Sequence, residues 1–253
     1  GWNRSGSMNN WSNLVIKQSN KQQIFVKQYS GNKVWKESES GKKIKSLSNK
    51  NKFEKEENIF FIGSKNDHKI AWHPRTLWIG VGCERNTSVK FIEDCINKLF
   101  LKYEISFLSI AGLATVDIKK DEKALIDIAK TKNWPIKFFK NEDLLEVDVP
   151  NPSKIVFEEI GTFSVAEAAS LLACGNEGGQ IVIEKNIFKH RDVSGENLGA
   201  VTLAVAESKQ QFAPERGFVH VIGSGPGALS YLTGESKAAL SQSSIWIGYK
   251  RYL

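Results

Sequence analysis

Three short motifs at predicted strand ends and helix starts carry the side chains that could do chemistry. The first, residues 80–88 (GVGCERNTS), ends a strand in glycines and leads into a helix start with free backbone N–H groups. Such a helix start attracts carboxylate or phosphate, and Arg85, Thr87 and Ser88 could add contacts to an anion. A tight turn with an ordinary helix cap would explain the same residues, so both interpretations stay open.

The second motif, residues 114–122 (ATVDIKKDE), places a carboxylate and an ammonium at or beyond the carboxyl end of a predicted strand. Open parallel sheets bind their ligands at that end. Asp117 is therefore a candidate general base, and Lys119 is a candidate electrostatic stabiliser beside it. A surface ion pair is the competing explanation.

The third motif, residues 158–169 (EEIGTFSVAEAA), precedes and begins another predicted helix. Ser164 and Glu167 have the S-x-x-E spacing of a capping box, which accounts for both residues structurally. Gly161 and Thr162 come directly before this cap, so they are candidate anion contacts at a second helix start.

A glycine loop, GSGPGA, lies near the end of the sequence. Gly223, Gly225 and Ala228 match the loose GxGxxG/A pattern of dinucleotide-binding folds. Pro226 removes a backbone donor from the loop, and no acidic residue follows about twenty positions later to hold a ribose. The loop therefore argues against a nicotinamide dinucleotide.

The three cysteines and four histidines show no metal-ligand spacing, and we expect no structural zinc. Cys83 has no histidine near it in sequence, so a buried structural thiol is favoured over a nucleophile. Because the cysteines form no CxxC pair, we expect reduced thiols in a cytoplasmic protein.

Alternating strand and helix patterns position these motifs. Strands are predicted over residues 77–83, 112–118, 135–139, 180–184 and 201–206, and helices over residues 89–102, 121–132, 153–159 and 164–173. This alternation predicts an α/β fold with a mostly parallel sheet and flanking helices. Strand patterns at residues 23–28 and 58–63 add an incomplete β-rich piece before it, and residues 218–253 open an incomplete β-α-β unit.

The chain of 253 residues has a net charge of +7, and residues 36–57 (KESESGKKIKSLSNKNKFEKEE) concentrate seven lysines with five glutamates. That run has almost no apolar side chains, so we predict a mobile, solvated linker. Nucleic acid is disfavoured as a partner, because no aromatic-basic recognition motif accompanies the lysines. No apolar run approaches roughly 18 residues, so neither a membrane span nor membrane association is expected.

In their order and spacing, four runs resemble the C-terminal domain of the cobalamin-pathway CbiG family. They are WIGVGCERNTS, ATVDIKKDE, FFKNEDLLEVDVPNPS and GTFSVAEAASLLA, against usual family forms close to GIGCRRGTS, ATIDLKADE, VPNPS and GTPSVAEAA. The resemblance covers residues 78–206. Asn86 stands where the family usually has glycine.

Both flanks also resemble cobalamin-pathway proteins. The start resembles the region that precedes this domain, and the tail resembles the opening of the tetrapyrrole methyltransferase family, most of all its precorrin-3B C(17)-methyltransferase branch (CbiH). The resemblance implies a fragment of a CbiG–CbiH fusion. Its parts would be residues 1–75 (a central-region remnant with the Lys-rich linker), 76–209 (the CbiG C-terminal domain), 210–217 (a linker) and 218–253 (a truncated methyltransferase start).

The resemblance implies hydrolysis of cobalt-precorrin-5A, in which the ring-A δ-lactone opens and acetaldehyde is released. The hydrolase domain would need no cofactor, and cobalt would enter only within the tetrapyrrole substrate. A full methyltransferase domain would use S-adenosyl-L-methionine and could form a homodimer. A fragment that stops at Leu253 is expected to transfer no methyl group. A non-catalytic corrinoid-binding module that assists a fused methyltransferase is the alternative.

Lactone opening needs a positioned water, a base and donors for the oxyanion. From the residue chemistry we expect Asp117 to be the base with Lys119 beside it, and the substrate contacts to be Arg85, Thr87, Ser88, Gly161 and Thr162. In the methyltransferase family the glycine loop lies toward the substrate cleft. This implies that Gly223, Gly225, Pro226 and Gly227 face the tetrapyrrole.

Overall fold

A computed structural model of the protein describes residues 2–47, 58–191, 197–213, 220–223, 225, 228–243 and 246–248. Contacts divide the chain into two units, Gly1–Phe212 and Ala213–Leu253. Within the described ranges, no helix is long and apolar enough to cross a membrane.

The first unit holds two five-stranded sheets and seven α-helices within its described residues. Its strands are β1 (Asn3–Ser5), β2 (Phe25–Gln28), β3 (Lys45–Ser46), β4 (Ile59–Ile62), β5 (Ala71–His73), β6 (Leu77–Cys83), β7 (Ile110–Val116), β8 (Ile136–Phe139), β9 (Gly179–Arg191) and β10 (Asn197–Ser208). Its helices are α1 (Met8–Ser19), α2 (Glu39–Lys42), α3 (Val89–Lys102), α4 (Lys123–Lys132), α5 (Asn141–Leu145), α6 (Lys154–Ile160) and α7 (Val165–Ala173).

The N-terminal sheet has the order β1-β5-β4-β2-β3, and only the β1–β5 pair is antiparallel. Helix α1 begins after the cap Ser7 and buries Trp11 and Leu14 against Val26 and Phe60. The two strands predicted in this region are confirmed as β2 and β4.

The second sheet has the order β8-β7-β6-β10-β9. Strands β6, β7 and β8 are parallel, whereas β10 is antiparallel to both β6 and β9. The α/β class is confirmed, and parallel pairings outnumber antiparallel ones across the two sheets. The predicted strands at residues 180–184 and 201–206 prove to be parts of the much longer β9 and β10, which cover one side of β6.

Alternate residues of β6 face two different helix layers, as strand geometry requires. Leu77, Ile79 and Val81 pack into the core beside α3 and α4, whereas Trp78 packs on the α7 side. Gly80 lets α7 approach closely, because a Cβ there would lie 1.8 Å from the Ala166 carbonyl oxygen. The core therefore holds the end of β6 in a defined position against α7.

The first half of the Lys-rich run is ordered, which corrects the prediction of a mobile linker there. Within residues 36–47, part of a 3-10 turn (Val34–Glu37), helix α2 and strand β3 form. Ser38 accepts the Gly41 N–H at 3.0 Å to cap α2, and β3 pairs with β2. Trp35 and Ile44 pack against the core, which offsets the polar composition. Residues 48–57 lie outside the described residues.

The second unit holds a 3-10 turn (Leu229–Tyr231) and helix α8 (Gly234–Gln242), which Thr233 caps. The helix of the predicted β-α-β unit is confirmed. The two strands predicted on either side of it do not form in the described residues 220–223 and 246–248. Val221 and Ile247 are each 94% exposed there. A strand needs a partner for its backbone and a core for its side chains, and these segments have neither.

Candidate active site

The ends of β6 and β7 form the edge where the first two motifs meet. The strands are parallel neighbours, with Leu77 opposite Ile110 and Gly80 opposite Ala114, so their carboxyl ends emerge together. The structure places Arg85, from the loop after β6, against the turn that begins at Asp117 after β7. One of its guanidinium nitrogens donates to the Ile118 carbonyl.

Arg85 already has acidic partners at this edge. It donates to the Asp121 carboxylate, and the same nitrogen lies 3.9 Å from a Glu122 oxygen. The hydrogen bond to Asp121 raises the pKa of Arg85, and the same bond lowers the pKa of Asp121. The Arg85 side chain is 50% exposed, so a ligand carboxylate could reach it but would share it with Asp121.

Glu122 is the residue that the sequence analysis did not single out. Its side chain is 5% exposed, accepts the Asn86 backbone N–H at 3.2 Å and lies 3.8 Å from the Lys119 ammonium, which is 9% exposed. The sequence signal that could have indicated Glu122 is its position as the last residue of the ATVDIKKDE motif. Glu122 therefore joins the loops after β6 and β7 through a buried carboxylate.

The expected pairing of Lys119 with Asp117 is corrected by this geometry. Lys119 pairs with Glu122, and Asp117 instead lies 3.9 Å from Lys120, with its side chain 30% exposed. The 3-10 turn Asp117–Lys119 separates the two side chains, because residues two positions apart in such a turn point in different directions. Asp117 stays open to solvent, whereas Lys119 is enclosed.

The loop after β6 also accounts for Thr87 and Ser88 locally. Asn86 has φ +61°, a left-handed conformation that asparagine tolerates better than most residues, which explains how it replaces glycine. The Thr87 hydroxyl donates to the Glu84 carbonyl at 2.8 Å, and Ser88 accepts the Phe91 N–H at 3.2 Å to cap α3. The turn-and-cap interpretation therefore accounts for both hydroxyls.

Cys83 ends β6 beside this cluster and is a thiol at neutral pH. Burial raises its pKa to about 11, Lys119 and Arg85 oppose that rise, and Glu122 adds to it. A protonated, largely buried thiol is a poor nucleophile. Among the described residues, no group of three or more His, Cys, Asp or Glu side chains could hold a metal ion.

Glu167 does not complete the predicted capping box. Ser164 caps α7 by accepting the Glu167 N–H at 3.4 Å, and its hydroxyl donates to the Glu167 carboxylate at 3.3 Å, but the other partners of that carboxylate come from other segments. It accepts from the backbone and side-chain nitrogens of Asn151 at 3.2 and 2.9 Å and from the Lys185 N–H at 3.0 Å. Glu167 is fully buried, so the PNPS motif and β9 are held together by one internal carboxylate.

Gly161 and Thr162 lie between α6 and α7, at the same edge of the sheet. A Cβ added to Gly82, near the end of β6, would lie 3.8 Å from the Val165 Cβ, which places the start of α7 there. Gly161 ends α6 with φ +82°. Thr162 is fully buried, and its hydroxyl contacts no hydrogen-bond partner among the described residues.

The glycine loop belongs to the second unit. Gly225 has φ +69°, which favours glycine at that position. Gly223 is described as irregular backbone, and Pro226 and Gly227 lie outside the described residues.

Comparison with known proteins connects this edge to one family. A family model described as "Cobalamin synthesis G C-terminus" matches residues 77–206, about half of the chain. Cobalt-precorrin-5A hydrolase of Priestia megaterium is 30% identical over 140 residues, covering 55% of this chain and 34% of that protein. The hydrolase of Salmonella typhimurium is 28% identical over 116 residues, covering 45% and 33%.

A crystal structure of CobE, a protein from the cobalamin (vitamin B12) biosynthetic pathway, is 26% identical and has a TM-score of 0.44. The similarity covers 52% of this chain and 89% of CobE. The chain spans about a third of the length of the curated relatives that it matches. Because the family model accounts for half of the chain, the protein belongs to the cobalamin synthesis G C-terminus family.

Proposed function

We propose that this domain takes part in the hydrolysis of cobalt-precorrin-5A, the activity named in its curated relatives. The observation that carries the proposal is the carboxyl edge of the second sheet, where Asp117, Arg85 and the buried Lys119–Glu122 pair meet within the matched residues. A lactone-bearing macrocycle with peripheral carboxylates would find a base and cations at one edge. The expected cofactor is none, with cobalt supplied by the substrate.

In this mechanism Asp117 is the base, because its carboxylate is partly solvent-exposed and can take a proton from a water. Water attacks the lactone carbonyl, the acyl–oxygen bond breaks, and a carboxylate and an alcohol result. Lys119 contributes positive potential to the oxyanion from its enclosed position, and Glu122 orients it. The new alcohol then loses its O–H proton as the carbon–carbon bond to the macrocycle breaks. The two-carbon unit leaves as acetaldehyde, and the macrocycle keeps the electron pair of that bond and takes up a proton.

The test is acetaldehyde release from cobalt-precorrin-5A, followed with a coupled alcohol dehydrogenase and NADH. We expect release by the protein and at least a hundredfold loss in Asp117→Asn. Tight substrate binding with no acetaldehyde would instead support a non-catalytic corrinoid-binding module.

The tail carries a separate proposal. We infer from the HVIGSGPGALSYL run that residues 218–253 are related to the start of a tetrapyrrole methyltransferase domain, whose full form would use S-adenosyl-L-methionine. The left-handed φ of Gly225 shows a conformational need for glycine in that loop, as a tight glycine turn requires. Equilibrium dialysis with labelled S-adenosyl-L-methionine tests this: a longer chain that includes the whole domain should bind the cofactor.

A further inference from the structure

Two aromatic rings stack on each other at the protein surface beside the candidate active site. The rings of Phe157 and Phe163 have centroids 4.7 Å apart and planes 17° apart. Phe157 is 41% exposed and Phe163 is 38% exposed. Aromatic side chains usually bury most of their area, so an exposed stacked pair presents an apolar surface, the outer face of one ring and the edges of both, that a ligand ring could cover.

Backbone hydrogen bonds hold this pair in place. Phe157 lies in α6, and its carbonyl accepts the Gly161 N–H at 2.8 Å to close the helix end. The Phe163 carbonyl accepts the Ser153 N–H at 2.8 Å, which ties the loop back to the start of α6. Both rings are therefore carried on a short closed loop rather than on a free segment.

The same loop carries a polar group that lacks a partner. Thr162 stands next to Phe163 and is fully buried, and within the described residues its hydroxyl has no hydrogen-bond partner. Buried hydroxyls in native proteins are nearly always hydrogen-bonded, so such an exception indicates a missing partner. Three residues later α7 begins, and its first N–H groups and dipole favour a negative charge.

A second unpartnered atom lies at this loop. Asn141 donates its side-chain N–H to the Ile160 carbonyl at 2.6 Å, while its side-chain oxygen is buried and unpartnered among the described residues. Lys154 lies one helical turn before Phe157 and is exposed on the same face of α6. The exposed cation Lys154 and two buried polar atoms therefore lie on the elements that carry the aromatic pair.

We propose that the exposed surface of the stacked Phe157–Phe163 pair packs against one face of a planar macrocycle, while a peripheral carboxylate of that macrocycle binds at the start of α7 and accepts a hydrogen bond from Thr162. This rests on the proposed function, because a tetrapyrrole carries both the flat ring and the carboxylates. The inference extends the proposed function by naming residues that would hold the macrocycle. These residues lie on α6 and the following loop, whereas Arg85 lies in the loop after β6. Lys154 can approach a second carboxylate.

The experiment titrates the whole chain with uroporphyrin III, a fluorescent tetrapyrrole with eight carboxylates, and follows its absorption and fluorescence. Phe163→Ala and Phe157→Ala should each weaken binding by about tenfold through lost stacking. Phe163→Trp should retain binding, because it keeps an aromatic face. Thr162→Val should weaken binding about fivefold without lowering the melting temperature, since valine removes an unpartnered hydroxyl.

Phe107→Ala is the matched control. Phe107 is 39% exposed and stacks on Phe100 with centroids 4.9 Å apart, but it precedes β7 at the opposite edge of the sheet. The Phe107→Ala protein should bind the porphyrin with the same affinity as the unaltered protein. Equal affinity in Phe163→Ala, Phe157→Ala and the unaltered protein, with circular dichroism showing an intact fold, would overturn the proposal.

The outcomes separate this inference from the proposed function. Acetaldehyde release that survives in Phe157→Ala, Phe163→Ala and Thr162→Val, together with unchanged porphyrin affinity, overturns the stacking surface and leaves the hydrolase in place. Porphyrin binding that depends on the two phenylalanines, in a protein that releases no acetaldehyde, supports the stacking surface and contradicts hydrolysis.

Discussion

The ammonium of Lys119 lies 3.8 Å from the Glu122 carboxylate, and both side chains are almost fully enclosed. Two opposite charges in such a site neutralise each other, and either one alone would be costly to bury. The pair lies beneath Arg85 and Cys83, so it supports the loops that the proposed reaction uses. Its loss should therefore affect stability and activity together.

Glu122→Gln should lower the free energy of unfolding by about 3 kcal/mol, because it leaves the Lys119 charge buried without its partner. Urea unfolding followed by circular dichroism measures the change. Asp121→Asn is the control: Asp121 is 75% exposed, so its loss should leave unfolding nearly unchanged. An equally stable Glu122→Gln protein would show that the pair does not hold the loops.

Asp117→Asn should lower kcat for acetaldehyde release by at least about a hundredfold while KM changes less than about twofold. The amide keeps the shape of the side chain but cannot accept the proton. Asp94→Asn, on the exposed face of α3, is the matched substitution and should have no effect. Full turnover in Asp117→Asn would remove Asp117 as the base and leave the edge geometry untouched.

Arg85→Ala should weaken substrate binding about twofold to fivefold, and the effect should shrink as salt is added, because the guanidinium is half exposed. Asp121→Asn should act in the opposite direction, since it frees Arg85 for a ligand carboxylate. Isothermal titration at two salt concentrations measures both. The same direction of change in both variants would contradict competition between Asp121 and the substrate.

Glu167→Gln should destabilise the protein by about 2–3 kcal/mol. Both oxygens of the carboxylate accept hydrogen bonds from Asn151 and Lys185, whereas the amide has only one oxygen. The NH2 group of the amide would then point at an N–H donor instead of accepting from it. Glu184→Gln is a suitable comparison, because exposed Glu184 contacts the same Asn151 amide at 3.0 Å. Similar unfolding curves for both variants would argue against the internal carboxylate as the organising group.

Alkaline pH should destabilise the protein partly through Cys83. Burial raises the pKa of its thiol from 9.0 to about 11, so between these values the folded state keeps a proton that the unfolded state has lost. The contribution of Cys83 is therefore complete below pH 9 and is lost as the pH rises toward 11. Unfolding of Cys83→Ala should depend less steeply on pH in this window, and identical slopes would contradict the raised pKa.

Local pattern in the sequence was enough to predict much of the framework. The apolar run of β6 and the helix-spaced apolar residues of α3 predicted both elements with the bounds observed, Leu77–Cys83 and Val89–Lys102. The motif order also led to the family that the comparison establishes. These features depend on neighbours along the chain, where periodicity and helix caps act directly.

The partners of the charged groups depended on tertiary structure. Sequence spacing suggested that Lys119 accompanies Asp117 and that Glu167 completes a capping box. Lys119 instead pairs with Glu122 three residues later, and Glu167 accepts from Asn151 and Lys185 in other segments. The stacked pair Phe157 and Phe163 likewise forms only when α6 closes at Gly161. Long side chains choose among all groups that the fold brings within reach, and burial makes the choice decisive because an enclosed charge cannot remain without a partner.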